Sequence, residues 1–130
     1  MQLGYTIIFV EDINATVAFY QTAFGLEAQA VTPMFAAMNT GQTTLAFGAN
    51  SNERRELAGK LEYRDNTLEH DPAGIQISFI SENVEADFAR AIQAGATSVI
   101  EPNLKPWGQT VSRVRDLNGV LVGIVTAPKF

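Results

Sequence analysis

Six side chains in this sequence are of types that could grip a small organic molecule: Tyr5, Phe9, Phe47, Phe79, Trp107 and Arg113. Aromatic rings offer large apolar walls, and a phenol or indole adds one polar group that wants a partner. Trp107 is the single tryptophan and follows Glu101-Pro102-Asn103-Leu104-Lys105-Pro106, where it either plugs a core or stacks on a planar ligand. Arg113 lies in the alternating run Val111-Ser112-Arg113-Val114-Arg115. Its guanidinium either holds a carboxylate or phosphate through two parallel hydrogen bonds, or it is a solvated or carboxylate-paired charge. With no cysteine, thiolate catalysis, disulfides and thiolate zinc sites are excluded. The one histidine, His70, sits in a charged stretch, and no Ser-His-acid set, glycine-rich phosphate loop or HExxH run is present. Glu11-Asp12 stands between a strand-like and a helix-like run, which suits helix capping better than acid–base work. The cluster Glu53-Arg54-Arg55-Glu56 reads as a solvated face.

The elements that must position these groups follow from periodicity. Tyr5 to Val10 is a strand, and a helical pattern runs from about Asn14 to Phe24, with Asp12 or Asn14 as cap and Gly25 just past the end. Ala28 to Gly48 holds three strand-like pieces, with a tight turn at Thr40-Gly41. Asn50 to Gly74 is polar and charge-dense, a linker or cover with one short helix expected around Arg54–Lys60. The opening pattern then returns: strand Ile75–Ile80, helix Val84–Ala94, Gly95, strands Thr97–Ile100 and Thr110–Arg115, a turn at Asp116-Leu117-Asn118-Gly119, and strand Val120–Thr126. Phe9 and Gly25 stand 16 residues apart, as do Phe79 and Gly95, so an offset of 70 superposes the two halves. The organisation predicted is an α+β single domain of two tandem βαβββ units, at about 1–50 and 75–130, joined by a charged linker at about 51–74.

At 130 residues one domain suffices. The composition is 46% hydrophobic and 18% charged, and no apolar stretch approaches the roughly 20 residues of a membrane span. The first residues lack the basic and apolar segments of a secretion signal, so a soluble, cytoplasmic protein is expected. A net charge of −5 and a pI near 4.7 argue against a phosphate-tracking nucleic-acid surface. Small molecules are the expected partners.

The run Phe9-Val10-Glu11-Asp12, followed by Phe19-Tyr20 and Phe24-Gly25-Leu26, resembles the opening of the glyoxalase/bleomycin-resistance/dioxygenase (vicinal oxygen chelate) superfamily. Pro106-Trp107-Gly108-Gln109 and Arg115-Asp116-Leu117-Asn118-Gly119 are similar to its ending, with Leu117 in place of the usual proline. The resemblance implies that the units curl into an open mixed-sheet barrel around a central cavity, that the protein is a homodimer, and that metal ligands stand on the first and last strands of each unit. Counting places those positions at Tyr5, Leu45, Ile75 and Gly123, none a usual ligand, so no metal and no other cofactor is expected. Gln76, the one polar neighbour, is expected to point to the other face.

The same parity sends Ile7, Phe9, Phe47, Ile77, Phe79, Leu121 and Val125 inward, either as filling or as pocket wall. Three functions remain open. The first is a non-enzymatic module that sequesters a hydrophobic or aromatic molecule, as bleomycin-resistance-type proteins do. The second is a metal-independent lyase or isomerase using Tyr5 or Arg113 as acid or electrostatic stabiliser. The third is a scaffold for protein contacts whose cavity is filled by Phe47, Phe79 and Trp107.

Overall fold

The computed structural model describes residues 1–129 and forms two compact units, Met1–Asp65 and Asn66–Phe130. The first contains β1 (Tyr5–Val10), α1 (Ile13–Phe24), β2 (Ala28–Val31), β3 (Phe35–Met38), β4 (Thr44–Ala49) and α2 (Asn50–Leu57). Its sheet has the order β1-β4-β3-β2, with β1 parallel to β4 and the other pairs antiparallel. Asp12 caps α1, its Oδ1 accepting from the Ala15 N–H at 3.0 Å, and Gly25 ends the helix at φ 68°. The helix packs on β2, β3 and β4. Tyr20 is fully buried there, its ring centroid 4.9 Å from that of Phe47 and 5.1 Å from that of Phe24.

The short helix expected around Arg54–Lys60 begins four residues earlier, at Asn50, directly out of β4. The dipole explains the difference. In α2 the cations Arg54 and Arg55 fall in the last turn and Glu53 in the first, each at the end that favours its charge. A helix starting at Arg54 would place two cations against its own positive end.

The second unit contains β5 (Gln76–Ile80), α3 (Val84–Gln93), β6 (Thr97–Leu104), β7 (Thr110–Arg115) and β8 (Leu121–Val125). Its order, β5-β8-β7-β6, and its one parallel pair, β5 with β8, repeat those of the first. The βαβββ arrangement therefore occurs twice, as the sequence repeat implies. Asn83 caps α3 through its Oδ1, 3.1 Å from the Ala86 N–H. β6 continues past Ile100 to Leu104; register shifts on both sides of Ile100 accommodate Pro102 in this edge strand. The β7–β8 turn needs Gly119, whose φ is 80° and where an added Cβ would lie 2.6 Å from the Thr67 carbonyl oxygen. No helix among the described residues is long and apolar enough to cross a membrane.

Candidate functional site

Paired residues of neighbouring strands share a face. In the first unit, Ile8, Val10, Met38, Leu45 and Phe47 form the buried face under α1. The opposite face carries Tyr5, Ile7 and Phe9 of β1 beside Thr44, Ala46 and Gly48 of β4, then Phe35 and Ala37 of β3. It is a floor of small residues between aromatic rings. Tyr5 is 60% exposed and Ile7 36%.

The Phe9 end of this face is covered by the segment after α2. The Tyr63 ring lies 4.9 Å from that of Phe9, and its hydroxyl donates to Asn50 Oδ1 at 2.6 Å. Asn50, buried at the start of α2, donates through Nδ2 to Glu11 Oε2 at 2.9 Å. The Arg54 guanidinium sits 4.8 Å from the Tyr63 ring centroid and pairs with Asp65. Burial pushes the Tyr63 phenol above the usual tyrosine value; Arg54 opposes this, and Glu53 and Glu11 reinforce it. The phenol therefore stays protonated and donates. Glu53 lies over Gly48, where an added Cβ would meet its Oε1 at 2.7 Å. A cavity of about 430 Å³ lies beside Tyr63, bounded by Arg54, Ala58, Gly59, Leu61 and Glu62.

In the second unit, Ser112, Val114, Val122 and Ile124 are buried on the face that meets α3. Gln76, Ser78, Arg113 and Gly123 share the other face. Arg113 Nε donates to Gln76 Oε1 at 2.7 Å, and Gln76 Nε2 donates to Ser78 Oγ at 2.8 Å. Arg115, two residues along, is committed to backbone: it donates to the carbonyls of Gly119 at 2.9 Å, Thr67 at 3.3 Å and His70 at 2.5 Å.

Of the six residues singled out by sequence, Tyr5 and Phe9 stand together on the face of the first sheet away from α1. Phe47 does not: it pairs with Ile8 and is fully buried against Tyr20. Phe79 likewise pairs with Ile124 on the α3 face. Both placements correct the expected parity. Trp107, 60% exposed at the β6–β7 turn, plugs no core; its indole N–H donates to Gln109 Oε1 at 3.0 Å. Arg113 has no carboxylate partner among the described residues.

The two parity errors have separate sources: Phe47 shares the α1 face with Leu45, the position that counting assigned to the last strand of the first unit, and Phe79 follows from the offset between the units. The helix caps Asp12 and Asn83 are 71 residues apart, not 70, so Gln76 rather than Ile75 corresponds to Tyr5. Gln76 faces the same side as Gly123, contrary to the expectation that it points away. Sequence reasoning also missed Tyr63, Asn50 and Phe35. Tyr63 and Asn50 lay in a stretch read as linker; Phe35, two residues before Ala37, carried an alternation signal that was available.

Comparison with known proteins agrees with this geometry. The family pattern described as Glyoxalase/Bleomycin resistance protein/Dioxygenase superfamily matches residues 2–124. The chain belongs to this superfamily. Among solved structures, a glyoxalase/bleomycin resistance protein/dioxygenase family enzyme from Burkholderia phytofirmans PsJN superposes with a TM-score of 0.81 at 26% identity, covering 98% of this chain and 100% of the other. A glyoxalase-related enzyme from Fulvimarina pelagi gives 0.81 at 17% identity, covering 98% and 89%. TioX from Micromonospora sp. ML1 gives 0.69 at 20%, covering 97% and 98%. No curated protein matches.

Glyoxalase-superfamily enzymes hold a metal on the first and last strands of each unit, and the residues present here do not fit one. In the first unit Tyr5 offers a phenol while Leu45 turns into the α1 core. In the second, Gln76 offers one amide oxygen, already taken by Arg113, beside Gly123, which has no side chain. No cluster of three or more His, Cys, Asp or Glu that could hold a metal occurs among the described residues.

Proposed function

We propose that this superfamily member binds a hydrophobic or aromatic small molecule, without metal, on the face of its first sheet away from α1. The observation that carries the reading is the exposure of Tyr5 and Ile7 beside half-buried Phe35 and Ala37 on one face, with only the small, buried Ala46 between them. Large apolar side chains left uncovered over small ones make a surface that gains by burying a flat ring. The Tyr63 segment gives that surface one closed end. Binding is favoured over lyase or isomerase chemistry because no group among the described residues hydrogen-bonds the Tyr5 hydroxyl to orient or tune it as an acid. The same reading takes the protein to be a cytoplasmic homodimer, as the resemblance implies, with light scattering at twice the 14.1 kDa chain mass as its check.

The test is titration with neutral 2-naphthol followed by amide and aromatic NMR shifts. Saturable shifts at Tyr5, Ile7 and Phe35, weakened at least tenfold by Tyr5→Ala, are expected. Shifts confined to Trp107, or none that saturate, would overturn the assignment.

A further inference from the structure

We infer that the second unit carries an oxyanion site on the sheet face away from α3, formed by Arg113, Gln76 and Ser78, which takes a carboxylate or phosphate group. The argument is one of hydrogen-bond polarity. An arginine Nε–H can only donate, so the Gln76 atom 2.7 Å from it must be the amide oxygen. That fixes the orientation of the amide and turns its NH₂ towards Ser78, 2.8 Å away. The Ser78 oxygen accepts from it, which leaves the hydroxyl proton to point elsewhere. Every polar hydrogen the cluster still has to offer is therefore a donor: the guanidinium's terminal N–H groups, the second Gln76 N–H and the Ser78 O–H. A set of donors around a positive charge on one sheet face, with no acceptor fully free, matches a ligand made only of acceptors.

Two further observations separate this arginine from an ordinary surface charge. Among the described residues it has no carboxylate within ion-pair distance, although the chain carries 14 acidic residues against 9 Lys and Arg. The strand positions flanking the cluster on this face are Val111, Ile80, Leu121, Val125 and Arg115, none of them acidic. Gly123 is the second observation. A Cβ there would lie 2.5 Å from Gln76 Nε2 and 2.8 Å from Ser78 Oγ, so the relay exists because the facing residue has no side chain. Arg115, by contrast, spends its donors on backbone carbonyls and has the role of fastening residues 67–70 to the β7–β8 turn.

The inference stands on the second unit alone and extends the small-molecule reading by naming an acidic ligand class. Its test uses inorganic phosphate and acetate as separate probes, followed by the Arg113 Nε–Hε and Gln76 side-chain NMR signals, with exposed Arg64 as internal reference. Saturable shifts at Arg113 and Gln76 at concentrations at least tenfold below those that move Arg64 are expected. Arg113→Gln should abolish them. Arg113→Lys, which keeps the charge and loses the planar fork, and Gly123→Ala, which displaces the relay, should each weaken binding several-fold. Equal shifts at Arg64 and Arg113, or unchanged binding in Gly123→Ala and Arg113→Gln folded as judged by their amide spectra, would overturn the site. Because 2-naphthol carries no charge, its result at Tyr5 stands or falls separately from that of the anions at Arg113.

Discussion

Replacing Asn50 with alanine should destabilise the first unit by about 2–3 kcal/mol. The side chain is 3% exposed and holds two partners, the Tyr63 hydroxyl at 2.6 Å and Glu11 Oε2 at 2.9 Å. A neutral, part-buried hydrogen bond contributes on the order of 1 kcal/mol net, and one to a carboxylate about 1.5–3. Glu11 is exposed and regains water, so its bond counts at the low end; Tyr63 is half-buried and its hydroxyl loses its acceptor. Tyr63→Phe should cost less, about 1–2 kcal/mol, because the ring keeps its contact with Phe9 while Asn50 Oδ1 loses its donor. Since both variants remove the same bond, the double variant should fall short of their sum by about 1 kcal/mol. Urea unfolding followed by far-ultraviolet circular dichroism measures all three; Trp107 fluorescence is unsuitable because that residue lies in the second unit. Costs below about 0.5 kcal/mol with strict additivity would show that the Tyr63–Asn50–Glu11 chain does not fasten the segment over Phe9.

Phe47→Ala should cost about 3–5 kcal/mol by emptying the space against Tyr20, while Phe47→Leu should leave 2-naphthol affinity within a factor of about two; a large affinity loss in a stable Phe47→Leu protein would return Phe47 to the ligand wall. Gly119→Ala combines a φ of 80° with a 2.6 Å approach to the Thr67 carbonyl, so a loss above about 1 kcal/mol in thermal unfolding is expected, and a neutral result would refute that packing. Because Tyr63 has a raised pKa, its contribution to stability is complete below the unfolded tyrosine value near pH 10 and is lost as pH rises through the folded value above it. The midpoint of the Tyr63 ring-carbon NMR titration should accordingly lie above pH 10; a midpoint below that value would reverse the sign of the argument.

The fold was readable in the sequence to a degree the site was not, and the difference is physical. Strand and helix identity rest on many residues, so Tyr5–Val10, the α1 stripe and the two turn glycines survive a counting error of one. A side chain's face does not. Strand alternation has a period of two, so the step from an offset of 70 to one of 71 reversed the assignment of Gln76, Ile77 and Phe79 together while leaving every element in place. The extra residue lies ahead of the helices: the caps Asp12 and Asn83 differ by 71, whereas the terminal glycines Gly25 and Gly95 differ by 70, because Gly25 directly follows the 12 residues of α1 while Ala94 stands between the 10 residues of α3 and Gly95. Matching on the glycines registers the helix ends, and matching on the caps registers the strands that precede them. For a site built on strands, the cap was the correct anchor, and Asp12 followed by Asn83 was available in the sequence. Tyr63 is a different kind of omission. Its role depends on contacts with Phe9 and Asn50, made by a stretch with no periodicity of its own, and in such a segment composition reports charge without reporting which single aromatic is turned inward.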